Sequence, residues 1–223
     1  MLSSEKILER RRQVKTYLQK INHEIVHAFH VCKLSLELFD GLHSIHNLGM
    51  EERFLLECGA LLHDIGWKIS REKHHKHGLR MIMNADLPAF SEREKRIIAN
   101  IARYHRKSLP KPSHAPYSLL SPKDQKIVKK LAALLRIADA CDTTHKTRIQ
   151  DIKWLCTEEE FILRLISDSS YEEELEAIEQ KKNLFEKEYE ATLQVTFDEV
   201  VSEKACIESE KVCIENVCLE VAS

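Results

Sequence analysis

The chain has 223 residues, of which 31% are charged and 43% hydrophobic, with a formal net charge of −2. That balance belongs to a folded globular chain with room for one large domain and a small appendage. It excludes a disordered chain and any global pull toward nucleic acid or an anionic membrane surface.

No run approaches the roughly 18 apolar residues of a membrane span, and the start (Glu5, Lys6, Glu9, Arg10, Arg11, Arg12) lacks a signal-peptide core. Seven cysteines, an odd number set mostly within apolar helical patterns, read as reduced thiols of a cytoplasmic protein. The twelve histidines all lie at or before position 145, so whatever chemistry uses imidazole belongs to the N-terminal two thirds.

Residues 5–40 read as helix, with a break near Asn22. His27, Val31, Leu34 and Leu38 share one stripe, and His23 and His30 fall near the same face but are expected to be exposed or capping. After a loop over 41–49, Glu51 and Glu52 suit the first turn of a helix that ends in Leu61-Leu62-His63-Asp64-Ile65-Gly66. A buried carboxylate is costly without a cation or several donors, so His63 and Asp64 at the end of a core helix point to metal ligation.

The basic segment from Lys68 to Arg80 carries His74, expected at the surface, with His75 and His77, and becomes a short helix through Asn84 that Pro88 stops. Ser91 with Glu94 is a capping box opening a helix over 92–106, whose stripe is Ile98, Ile101, Ala102 and His105. The stretch Leu109 to Pro122, with four prolines, is a loop of lid length. Ser121, Pro122 and Asp124 supply N-cap, N1 and N3 of a helix to Cys141, with Asp139 beside its apolar stripe.

From about 150 the period changes to two. Strands over 151–156 and 160–166, one amphipathic helix (Tyr171, Leu175, Ile178, Phe185, Tyr189) and a strand through Leu193, Val195 and Phe197 make a ββαβ unit. The fold class is mainly α: an all-helical core over 1–148, an α+β subdomain over 149–200, and a tail or extra edge strand over 201–223. Open sheet edges suit a homodimer.

Separate helices thus deliver His27, His63, Asp64, His105 and Asp139 from apolar faces, as an all-helical metal site requires. Imidazole and carboxylate without thiolate suit Mn, Mg, Fe, Ni or Zn, as one or two ions. Arg136, Arg106, Lys107, Lys68, His145 and Arg148 are the cations available to a phosphoryl group. Nucleic-acid contact at the basic stretch 103–111 is not expected, because only Tyr104 could stack a base.

His27, then Leu-Leu-His63-Asp64-Ile-Gly, then Asp139 resembles the signature of the HD phosphohydrolase superfamily. The strings LLHDIG, HHKHGLRMI, IANIARYHRKSLP and KLAALLRIADACDTTH are similar to the HD-like third domain of the exopolyphosphatase/guanosine pentaphosphate phosphatase family, and the ββαβ piece also resembles the segment after that domain. The resemblance, over about residues 20–200, implies a divalent metal held by His27, His63, Asp64 and Asp139. It implies His77 and His105 as further ligands where two ions bind, and a small phosphorylated substrate such as a nucleotide. Full-length relatives carry upstream actin-like domains for polyphosphate or pppGpp hydrolysis, and no such domain is recognised in these residues. Many HD enzymes place Lys directly after the Gly of the motif, whereas here Trp67 precedes Lys68. The expected function is a metal-dependent phosphohydrolase with His63, Asp64, Arg136 and Lys68 catalytic. The alternative is a non-catalytic regulatory or dimerisation module that binds metal or nucleotide.

Overall fold

The computed structural model describes residues 4–21, 25–156, 160–167 and 170–199. Asn22, His23 and the 201–223 segment lie outside the described residues. Helices α1 (Ser4–Ile21), α2 (Ile25–Gly41), α3 (His43–His46) and α4 (Met50–Leu61) lead into a 3-10 turn at Ile65–Lys68. Next come α5 (His74–Met83), α6 (Glu92–Arg103), α7 (Ala115–Ser118) and α8 (Pro122–Ala140). Strands β1 (Ile149–Cys156) and β2 (Glu160–Ser167), helices α9 (Glu172–Lys181) and α10 (Asn183–Tyr189), and β3 (Thr192–Glu199) complete the described elements.

α8 is the axis of the helical part. Leu131 to Cys141 are buried without interruption, because α2, α4 and α6 pack on it and α9 and α10 cover what remains. Its start is set locally: Ser121 Oγ accepts the Asp124 N–H at 3.1 Å, with Pro122 at N1. α6 starts at the reciprocal Ser91–Glu94 box, and Glu94 also takes Arg10 Nη2 at 2.6 Å, tying α1 to α6.

The sheet has the order β1-β2-β3, antiparallel between β1 and β2 and parallel between β2 and β3, with α9 and α10 forming the crossover. Phe161, Leu163 and Leu165 on the inner face of β2 are buried, and Phe185 meets the rings of Phe161 and Trp154.

Four details differ from the sequence expectation, one being the one-turn helix α3 inside the loop expected over 41–49. The helices bearing His63 and His105 end at Leu61 and Arg103, so both imidazoles lie just beyond a helix end. The proline-rich loop contains the one-turn helix α7, with Tyr117 buried. The single amphipathic helix expected over 171–189 is broken at Lys182. There the buried guanidinium of Arg136 takes the Lys181 carbonyl at 3.2 Å, an acceptor the helix ladder would otherwise use.

Gly66 marks the tightest approach, between the 3-10 turn and α5. A Cβ there would run into the His74 carbonyl oxygen and stand 2.6 Å from the Gly78 nitrogen. A Cβ at Gly78 would meet nothing nearer than 3.5 Å. Gly66→Ala is therefore expected to destabilise by about 2–4 kcal/mol through backbone clash. Gly78→Ala, inside α5, should be neutral or gain up to about 1 kcal/mol of helix propensity. Urea denaturation of the two variants separates the cases.

Candidate metal centre

Four buried imidazoles converge, each from a different segment: His27 from α2, His63 after α4, His74 opening α5 and His105 after α6. Their outer nitrogens are all engaged. Nδ1 of His63, His74 and His105 each faces the carbonyl three residues back: Ala60 at 2.6 Å, Arg71 at 2.7 Å and Ala102 at 2.5 Å. A carbonyl can only accept, so these rings carry their proton on Nδ1. His27 Nδ1 lies 2.8 Å from Asp142 Oδ2. The local chain explains the repeat: at the end of α4 and of α6 the ring N–H takes a last-turn carbonyl that a continuing helix would have used.

Every Nε2 consequently points inward as a bare lone pair in the neutral ring. They face one another in two pairs, His27 with His63 at 3.1 Å and His74 with His105 at 3.0 Å. Lone pairs at that range repel unless a cation or proton sits between them. Asp64 spans both pairs. Its Oδ2 is 3.6 Å from His63 Nε2 and 3.8 Å from His27 Nε2, and its Oδ1 is 3.1 Å from His74 and 3.5 Å from His105. Asp139 Oδ1 joins the first pair at 3.6 Å from His27 and 3.5 Å from His63.

Two donors about 2.1 Å from a shared ion at right angles stand about 3.0 Å apart, so these spacings are those of ligands around a common cation. Asp64 Oδ1 is buried and accepts no hydrogen bond among the described residues. The donor set therefore fits two cation positions bridged by Asp64: His27, His63 and Asp64 on one side, where Asp139 Oδ1 also approaches the two imidazoles, and Asp64, His74 and His105 on the other.

Electrostatics agree with geometry. Burial opposes ionisation of both carboxylates. For Asp64 the neighbouring imidazoles, and for Asp139 Lys181 and the imidazoles, outweigh it and hold the carboxyls well below their ordinary range. Burial likewise opposes charge on His27, but Asp139 and Asp142 raise it to about 9. His105, with burial dominant, is pushed down.

The other residues singled out by sequence divide. His77 is half-buried and makes none of the cluster's contacts, and the position expected for it is taken by His74, only 1% exposed rather than at the surface. The reason is that α5 begins at His74, whose ring is held inward by the Arg71 carbonyl. Arg136 does not reach the cluster with its guanidinium. It is buried and donates to the carbonyls of Tyr104 at 3.2 Å, Lys107 at 3.4 Å and Lys181. Lys68 and the Lys107 side chain are exposed, and Arg148 is spent on Glu173 and Glu174 of α9.

Arg106 lies with Nη1 3.4 and 3.5 Å from the two ring nitrogens of His74, over the imidazole. His145, held at φ 57°, stacks on His27 at 3.7 Å between centroids. A cavity of about 430 Å3 opens onto the cluster, lined by Trp67, Arg106, Thr143, His145, Gln180 and Lys181 among others. The proline-rich loop does not line it.

Sequence reasoning missed His74, Asp142, Trp67 and Lys181. Asp142, one turn after Asp139, was open to notice as a carboxylate behind a ligand. Lys181, from the distant α9, gives no local signal.

A helical bundle that gathers histidines and aspartates at one cavity places the chain among proteins with a candidate metal-binding helical core. Residues 10–192 match the family described as Ppx/GppA phosphatase, domain III, and the chain belongs to that family. It is 39% identical over 57 residues to a guanosine-5'-triphosphate,3'-diphosphate pyrophosphatase of Pseudoalteromonas translucida, covering 26% of this chain and 12% of that protein. It is 27% identical over 100 residues to the protein of the same name from Photobacterium profundum, covering 45% of this chain and 20% of that one. The matches thus span a fifth or less of those relatives' length.

In the unfolded chain His27 titrates near 6.5, against about 9 in the folded, ion-free site. A group made more basic by folding contributes stability that is complete below the unfolded value and lost as pH rises through the folded one. Chelator-treated protein should therefore lose stability between about pH 6.5 and pH 9, and His27→Gln should flatten that slope. Urea midpoints across the window give the measurement.

Proposed function

We propose that this chain is a divalent-metal-dependent phosphohydrolase of the HD type, acting on a nucleotide or other small phosphate compound at the cavity over Asp64. The observation that carries the reading is the pair of inward-facing imidazole couples joined by one buried carboxylate. A purely structural core has no use for two such couples converging on one buried carboxylate.

His27, His63, Asp64 and Asp139 would hold one ion, and Asp64, His74 and His105 a second. The mixture of imidazole and carboxylate suits Mn, Fe, Ni or Zn, with Mg fitting least because it favours all-oxygen shells. A cation bound there supplies Lewis acidity toward a phosphoryl oxygen and lowers the pKa of water toward neutrality. The protein's own contribution is orientation. Asp142 fixes the ring of His27, and the Ala60, Arg71 and Ala102 carbonyls fix the other three. Arg106, lying over His74 at the cavity wall, offers a planar fork to two phosphate oxygens. His145, stacked on His27, closes one side of the same cavity. The similarity to guanosine-5'-triphosphate,3'-diphosphate pyrophosphatases supports a phosphate-anhydride or nucleotide substrate, and no helix among the described residues is long and apolar enough to cross a membrane.

Protein purified without chelator should carry divalent metal by elemental analysis and hydrolyse at least one member of a phosphatase screen. Asp64→Ala should lose both. Turnover by Asp64→Ala equal to that of wild type would sink the enzyme reading. Asp142→Ala should weaken metal binding by about 10–100-fold, since it frees the ring of His27 without removing a ligand.

A further inference from the structure

The proposed site leaves one wall unexplained. α9 lies outside the helices that carry the ligand cluster, yet Ala177, Gln180 and Lys181 from it line the cavity. Lys181 Nζ is 2.7 Å from Asp139 Oδ2, the oxygen that does not face the imidazoles.

We propose that Lys181 is a substrate-positioning residue that the C-terminal segment lends to the metal site, binding a phosphate oxygen together with Arg106. The inference rests on the phosphohydrolase reading above. An ammonium has three donors, and Asp139 takes one. The Lys181 side chain lines the cavity and is 20% exposed, so its remaining donors are within reach of a molecule bound there.

The backbone supports the same conclusion. Arg136 Nη1 holds the carbonyls of Tyr104 and Lys107, which bracket Arg106, while its Nε holds the carbonyl of Lys181 itself. One buried guanidinium thus fixes the main chain under both cations. Asn183 Oδ1 adds a further acceptor to the brace at 3.4 Å. Two cations held at a set spacing, beside a cluster that would bind metal, are what a doubly charged phosphoryl group needs: the ions take some of its oxygens and the side chains the rest.

The test uses inorganic phosphate as the probe, titrated calorimetrically at fixed ionic strength into wild type, Lys181→Met and Lys181→Arg, with metal content measured on the same samples. Lys181→Met is expected to keep the metal content and melting temperature of wild type while binding phosphate about tenfold more weakly, and Lys181→Arg to recover most of the loss. Phosphate affinity within twofold of wild type in Lys181→Met overturns the proposal. So does loss of metal in that variant, because Lys181 would then act only by orienting Asp139. A wild type that binds no ion yet loses phosphate on Lys181→Met would defeat the metal reading and leave Lys181 as an anion-binding residue, so the two failures are distinguishable.

Discussion

Four imidazoles with their outer nitrogens already bonded are the constraint on which the rest of this molecule depends. Once three backbone carbonyls and Asp142 have claimed Nδ1, the ring planes and tautomers are set, and the inner lone pairs have nowhere to point but at each other. Burial makes this expensive, since the rings are almost wholly withdrawn from solvent. The arrangement persists in the fold because the surrounding helices are over-determined: the half of α8 from Leu131 onward is buried on every side, and the approach at Gly66 admits no Cβ. The strain of facing lone pairs is relieved by positive charge, whether a proton shared within a pair or a metal ion. A proton and a metal ion compete for the same nitrogens, so the acidity of the solution and the occupancy of the site are linked.

Arg136 plays a comparable part at larger scale. Three residues before Asp139 on α8, it was a candidate phosphate contact by sequence, and its real partners are main-chain carbonyls on two segments. A buried guanidinium with good acceptors is well satisfied, while its removal would leave several carbonyls without donors. Its placement joins the end of α6 to the junction of α9 and α10, and it accounts for the break that replaces the single helix expected there. The α+β segment is thereby coupled to the cavity rather than merely attached to the chain. The Thr144 hydroxyl and the Arg148 guanidinium on Glu174, a fully buried carboxylate of α9, reinforce the same seam.

Much of this was legible in the sequence, for reasons that can be named. Caps are local, so Ser91–Glu94 and Ser121–Pro122 located two helix starts to the residue. Periodicity of two exposed the inner face of β2, and with it the mainly helical class with a small sheet. Ligand-type residues on apolar stripes picked out His27, His63, Asp64, His105 and Asp139, which do meet. What local pattern could not supply was orientation at a helix boundary. In His74-His75-Lys76-His77 four consecutive positions sample every direction of a helix, and only the start of α5 and the Arg71 carbonyl decide which ring turns inward. Lys181 and the brace at Arg136 depend on contacts across 42 and 45 residues of chain, which no spacing rule reaches.

The two candidate positions are not equivalent. The first is bounded by two imidazoles and two carboxylates, the second by two imidazoles and a shared carboxylate oxygen, with the Arg106 guanidinium over His74. Asp139 and Asp142 bring two further carboxylates to the first, with Lys181 offsetting part of the charge of Asp139. The second has a single carboxylate oxygen and the Arg106 guanidinium beside it, so an ion there would keep more positive charge for an anion to neutralise. On the proposed reading this asymmetry divides the labour: the first position organises the protein, and the second, beside Arg106, is where a phosphate oxygen completes the shell. On the same reading Asp64 would link the two positions, because its Oδ2 faces the first pair of imidazoles and its Oδ1 the second.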